Sequence, residues 1–181
     1  MLRKLITENK AVFKFLGIFL GAYLLLSALY LGYISLSTQD NSADPLTQLV
    51  GIQSEMIIDQ WGYEAKVLPS GGKPALQLFV NGDLVARIIE GCNAVSIIIL
   101  FMSFVLAFKK GLRQTLVFLL AGAALIYAIN LLRIAILAIA LYHYPEKEPF
   151  LHRVVFPAII YGLVALLWMI WVGVFSKKRA Q

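Results

Sequence analysis

Hydrophobic positions in this chain come in long unbroken blocks, without the alternating or one-sided pattern of elements that face water. Phe15–Leu36 and Val154–Phe175 each run for 22 residues without a charge, Asn93–Phe108 for 16, and Gln114–Tyr142 is longer, with Asn130 and Arg133 inside it. A hydrocarbon core of ~30 Å takes ~20 helical residues to cross. The first and last blocks fit that length. The second is expected to begin upstream, near Ile88 to Glu90. The third is long enough to tilt or to rise out of the bilayer. The pattern predicts an integral membrane, all-α fold: a single domain over 1–181 with about four transmembrane helices, at about 15–36, 90–108, 114–142 and 153–175.

The insert at 37–89 is different. With Glu90 it holds seven of the ten acidic residues. Its second half reads as strands at Tyr63–Leu68, Ala75–Val80 and Leu84–Ile89. Asn81-Gly82 is a strong hairpin signal, because both residues tolerate positive φ. A small extracytoplasmic β-meander of two or three strands is predicted between helices 1 and 2, leading into Glu90-Gly91-Cys92-Asn93.

Charge then sets orientation. Arg3, Lys4, Lys10, Lys14, Lys109, Lys110, Arg113, Lys177, Lys178 and Arg179 flank the blocks on one side, whereas Lys66, Lys73, Arg87, Lys147 and Arg153 are spread along the other. By the positive-inside rule both termini face the cytoplasm. The net charge of +6 therefore encodes topology and not nucleic-acid binding. Ser35-Leu36-Ser37 has the small-x-small look of a signal-peptide end. The preceding apolar stretch exceeds the ~7–15 residues of such a core, so an uncleaved first helix is expected. The composition, 60% hydrophobic and 14% charged, agrees with a chain that faces lipid.

Helical rise places three reactive residues at one level. Counting from the basic flanks, Cys92 lies about 24 Å up its helix, Arg133 about 28 Å and His152 about 35 Å, at 1.5 Å per residue. All three fall near the far boundary of the bilayer. A lone cysteine beside a membrane helix commonly serves packing. A lipoprotein-type cleavage at Cys92 is disfavoured by Glu90. An arginine inside an apolar block costs at least ~2.5 kcal/mol and marks a functional candidate, unless it snorkels to the interface. Asn130 shares its helical face. His152 opens the last helix; His143 is a second, lower-ranked candidate. An alkyl thiol is mostly protonated at neutral pH, and a cation beside it favours the thiolate. The same guanidinium can stabilise an oxyanion, and an imidazole can carry a proton to a leaving amine. One cysteine and two histidines, with no clustered ligand motif, give no metal site. Phosphate-loop and dinucleotide motifs are absent, and no cofactor is expected.

Glu90-Gly91-Cys92-Asn93-Ala94, Asn130-Leu-Leu-Arg133-Ile134 and His152 together resemble the exosortase/archaeosortase family, and the size resembles its compact, Bacteroidetes-type form. The resemblance covers residues 84 to 175. It implies a membrane-embedded cysteine protease or transpeptidase in a bacterial cytoplasmic membrane. Its partners would be exported proteins carrying a C-terminal sorting signal, which are cut and passed to an envelope acceptor, lipid or glycan. Cys92 would be the nucleophile, Arg133 the thiolate and oxyanion stabiliser, and His152 the acid/base, with Glu90, Asn93 and Asn130 in support. Many members have more spans, and glycine is usual where Ala94 stands. The competing expectation is a non-catalytic membrane protein, an assembly partner or a small transport component, with Arg133 and Asn130 lining a helix interface.

Overall fold

The computed structural model describes residues 9–38, 42–108 and 111–176, with side chains to 173. Of the basic residues used above for orientation, Arg3, Lys4, Lys109, Lys110, Lys177, Lys178 and Arg179 lie outside the described residues.

Helix α1 spans Lys10–Ser37 and buries none of its residues. Near its start, the Phe15 ring packs against Phe104 and Phe108 at 5.8 and 4.5 Å. A second helix, α2 (Pro45–Gln60), follows where no element was expected. Its start is well specified. Asp44 Oδ1 accepts from the backbone N–H groups of Leu46 and Thr47 at 3.0 and 3.1 Å, and Pro45 occupies the first helical position. Both are strong initiators: the carboxylate satisfies orphan donors, and proline loses nothing by lacking an N–H there.

Three antiparallel strands come next, β1 (Ala65–Pro69), β2 (Ala75–Val80) and β3 (Asp83–Ile89), in the order β1-β2-β3. The expected meander is present, with β1 shifted by two residues at its start. Val80 pairs with Asp83 around Asn81-Gly82, whose φ values of 50° and 89° are those of the tight hairpin turn that dipeptide favours. Leu76, Leu78, Val80 and Ile88 are buried together with Val50 and Ile58 of α2. Gly51 lets the helix approach closely: a Cβ there would stand 2.7 Å from the Leu76 side chain.

The chain then turns once at Glu90–Cys92 and enters α3 (Val95–Ala107). Helix α4 (Leu112–His143) follows. A helical run with irregular turns at 145–150 and a π-helical stretch at Leu151–Val155 leads into α5 (Phe156–Ser176). Among the described residues, three helical stretches are long and apolar enough to cross a membrane: Lys10–Ser37, Leu112–His143 and Pro145–Gly173. The block expected to form the second span is shorter than predicted. It begins at Val95 instead of residue 90 and has 13 helical residues, about 20 Å of rise.

Helix α4 joins two cores. Its first half packs Leu119 and Ile126 with Phe101 and Val105 of α3 and Val164, Leu167 and Trp171 of α5. Its second half presents Ile134, Ala135 and Ala138 to the sheet and α2. At 32 residues it rises about 48 Å, well beyond a ~30 Å hydrocarbon core. The excess is the pillar on which the sheet rests.

Candidate active site

Cys92 is delivered by β3. The strand ends at Ile89, the chain makes one 3-10 turn, and Asn93 N–H donates to the Glu90 carbonyl at 3.3 Å. Ala94 then adopts φ 64°, ψ 0°, a left-handed conformation that reverses the chain into α3. The Asn93 side chain has neighbours of its own. It is buried, donates to Tyr30 Oη at 2.8 Å and Thr47 Oγ1 at 3.3 Å, and accepts from Val95 N–H at 3.0 Å. Expected as a site residue, it instead pins α1 and α2 to the start of α3.

Cys92 is half-buried, with its sulfur not engaged in a disulfide. It lines a cavity of about 240 Å³ walled by Val85 to Ile88 of β3, by Arg133, Ile134, Leu137 and Leu141 of α4, and by Glu148 and His152. The volume equals about eight waters at ~30 Å³ each, room for one peptide group and a side chain. Cys92, Arg133 and His152, read from three separated pieces of sequence, thus meet around one space.

Asn130 stands behind this wall. It is buried, donates from Nδ2 to the Cys92 carbonyl at 2.7 Å, and accepts at Oδ1 from Arg133 Nη1 at 3.3 Å. A single amide therefore fixes both the backbone carrying the thiol and the guanidinium facing it. Arg133 also sits over the Phe156 ring at 5.9 Å, a cation–π contact that orients the guanidinium plane. Its buried Nε has no hydrogen-bond partner. A buried donor left unpaired is costly.

Glu90 is exposed and does not line the cavity. His143 lies elsewhere, hydrogen-bonded to Tyr63 Oη at 2.9 Å. His152 is largely exposed, on the cavity's open side. Two polar lining residues were not singled out for the site by the sequence reading: Arg87, which entered only the charge count, and Glu148. The signal for Glu148 was its place four residues before His152, one helical turn away. A larger cavity of about 420 Å³ adjoins, sharing Val85, Leu141 and Glu148. Among the described residues no group of three or more His, Cys, Asp or Glu is placed to hold a metal ion.

Fold and cavity together define a polytopic membrane protein with a thiol-bearing site under a small sheet. The sequence model of the transmembrane exosortases matches residues 11–175, nearly the whole chain, and the protein belongs to that family. Neither the curated proteins nor the solved structures give a match.

Proposed function

We propose that the protein is a membrane-embedded cysteine protease or transpeptidase that cleaves C-terminal sorting signals of exported proteins and passes them to an envelope acceptor. The observation that carries this reading is the single cavity lined by Cys92, Arg133 and His152 in a chain of the exosortase family. The Cys92 thiolate attacks the scissile carbonyl, and the oxygen takes up negative charge beside Arg133. The Arg133 side chain lines the same cavity as the thiol, and a fixed cation beside the reacting carbonyl stabilises such an oxyanion. Collapse of the adduct breaks the C–N bond, with a proton passing from His152 to the leaving amine, and leaves a thioester on Cys92. Water or an acceptor nucleophile then attacks the thioester and regenerates the thiol. In this arrangement α3 with the turn at Glu90–Ala94 completes a fourth crossing. Both termini lie in the cytoplasm and the cavity opens on the other face of the cytoplasmic membrane.

The test is co-expression with an exported reporter ending in a short motif, an apolar helix and a basic tail. The unaltered chain should shorten the reporter. Cys92→Ala and Cys92→Ser should leave it full-length while the protein still inserts at normal abundance. Normal processing by Cys92→Ala would remove the nucleophile assignment and favour a non-catalytic assembly role.

A further inference from the structure

Helix α2 is apolar on two opposite faces. One face, with Val50, Gly51, Ser54 and Ile58, is buried against the sheet. The other carries Leu46, Leu49, Ile52 and Met56, separated by three or four residues and so aligned along the helix. Leu49, Ile52 and Met56 are 44, 54 and 56% exposed, and Trp61 just past the helix end is 46% exposed. No described residue covers this second face.

Two hydrogen bonds fix the height of α2 against the spanning helices. Thr47 Oγ1 accepts from Asn93, the residue next to Cys92, and Gln53 Oε1 accepts from Tyr127 Oη at 2.7 Å. Cys92 is level with Asn130, to which its carbonyl is bonded. Asn130 lies 18 residues beyond Leu112, about 27 Å up α4 at 1.5 Å per residue. Tyr127 is one helical turn lower. Both ties therefore sit close to the edge of a ~30 Å hydrocarbon core. The stretch of α2 between them runs along that edge and does not stand above it. The Tyr33 hydroxyl, still within spanning helix α1, donates to Asp44 at the start of α2. Near the end of α1, Leu29, Leu31 and Leu36 are also exposed.

We infer that α2 is an interfacial anchor, with Leu46, Leu49, Ile52 and Met56 seated in the lipid leaflet on the sheet's side of the membrane and Trp61 at its headgroup level. An apolar face on an in-plane helix binds the headgroup–acyl boundary, and tryptophan is favoured there. The anchor holds the sheet, and with it the wall of the cavity beside Cys92, down against the bilayer.

The test uses the full chain with Cys92→Ser, reconstituted in phosphatidylethanolamine–phosphatidylcholine vesicles. Single cysteines at Leu49, Ile52 and Met56 carry a nitroxide, and collisions with oxygen and with a water-soluble nickel chelate are compared. Leu120 on α4, exposed on the spanning helix, is the lipid control. Lys73 in the β1–β2 loop is the water control. Labels on α2 should favour oxygen over nickel several-fold, as at Leu120. Nickel access equal to that at Lys73 overturns the inference, because the face would then meet water. Low access to both probes also overturns it, because a protein would then cover the face. Three separate positions guard against a misfolded variant.

Discussion

Replacing Asn130 by aspartate isolates the bond that ties the thiol's backbone to α4. The side chain keeps its size, so no cavity is created. The carboxylate still accepts from Arg133 Nη1, now 3.3 Å away as the amide oxygen is, but cannot donate to the Cys92 carbonyl that Nδ2 reaches at 2.7 Å. Leaving a buried acceptor unpaired costs about 1–3 kcal/mol. If that cost falls on the position of Cys92, the processing rate should drop roughly 5- to 150-fold, at 1.4 kcal/mol per tenfold. The new carboxylate also draws the guanidinium's charge away from the cavity, which acts in the same direction. Global stability should change less, because the attraction to Arg133 offsets part of the cost of burying the charge. Reporter processing and the rate of Cys92 alkylation at neutral pH are measured alongside thermal unfolding in detergent. Both rates should fall in Asn130→Asp while the unfolding midpoint moves little. Wild-type processing and alkylation in Asn130→Asp would show that the amide is only a packing element. Asn130→Ala should behave differently, losing stability by about 2–5 kcal/mol, since it also opens a void and strips Arg133 of its acceptor.

Arg133→Lys should reduce processing at least tenfold without loss of insertion, because an ammonium lacks the fork that reaches Asn130 while presenting a second donor to the cavity; reporter cleavage against membrane abundance checks this. His152→Ala should abolish processing and His143→Ala should leave it close to normal, since only His152 lines the cavity; the same reporter separates the two. Ala94→Gly should shift unfolding by no more than about 0.5 kcal/mol, the relief of a left-handed alanine of about 1 kcal/mol being offset by the lost burial of a methyl worth about 0.8 kcal/mol. Ala94→Val should cost about 2 kcal/mol or more. Gly122→Ala should destabilise by about 1–3 kcal/mol, because its Cβ would collide with the Phe101 ring where α4 crosses α3.

The convergence of Cys92, Arg133 and His152 was legible because helical rise is a ruler. Three residues counted from basic flanks came out at one height, and the shared face of Asn130 and Arg133 supplied the rotation that height alone cannot. Helix α2 was not legible. Its second apolar stripe sits among Thr47, Gln48, Gln53, Ser54, Glu55 and Asp59, so neither period stands out and the segment reads as polar loop. Asp44-Pro45 was the available start signal. Asn93 stands apart from the thiol for a backbone reason: adjacency suggested a shared site, but consecutive residues of a 3-10 turn are about 120° apart, and the Asn93 side chain is bonded to Tyr30 and Thr47. The φ of 64° at Ala94 is one that glycine adopts freely, so the residue at that position concerns the turn. The start of α3 was set too early because a 16-residue block is short for a ~30 Å core and was extended upstream, whereas a 3-10 turn occupies Glu90–Cys92 and the helix starts at Val95.

The length of α4 links these features. Had it ended where the bilayer does, Ile134, Ala135 and Ala138 would be missing, and the sheet's core would be left with α2 alone. Because the helix continues about 20 Å beyond Asn130, at 1.5 Å per residue, the sheet docks on its flank and β3 descends toward the membrane edge. Under the proposed function, the turn after β3 then brings Cys92 to the height at which α4 leaves the lipid. At that height a guanidinium from α4 can be buried against Phe156 and bonded to Asn130 on one side and still face a cavity that opens near an exposed His152 on the other. Lower in the bilayer the arginine would lack polar partners. Higher up, water would screen its charge from a thiolate. The proposed chemistry thus depends on a helix longer than the ~30 Å hydrocarbon core and on a strand that returns along it to deliver Cys92.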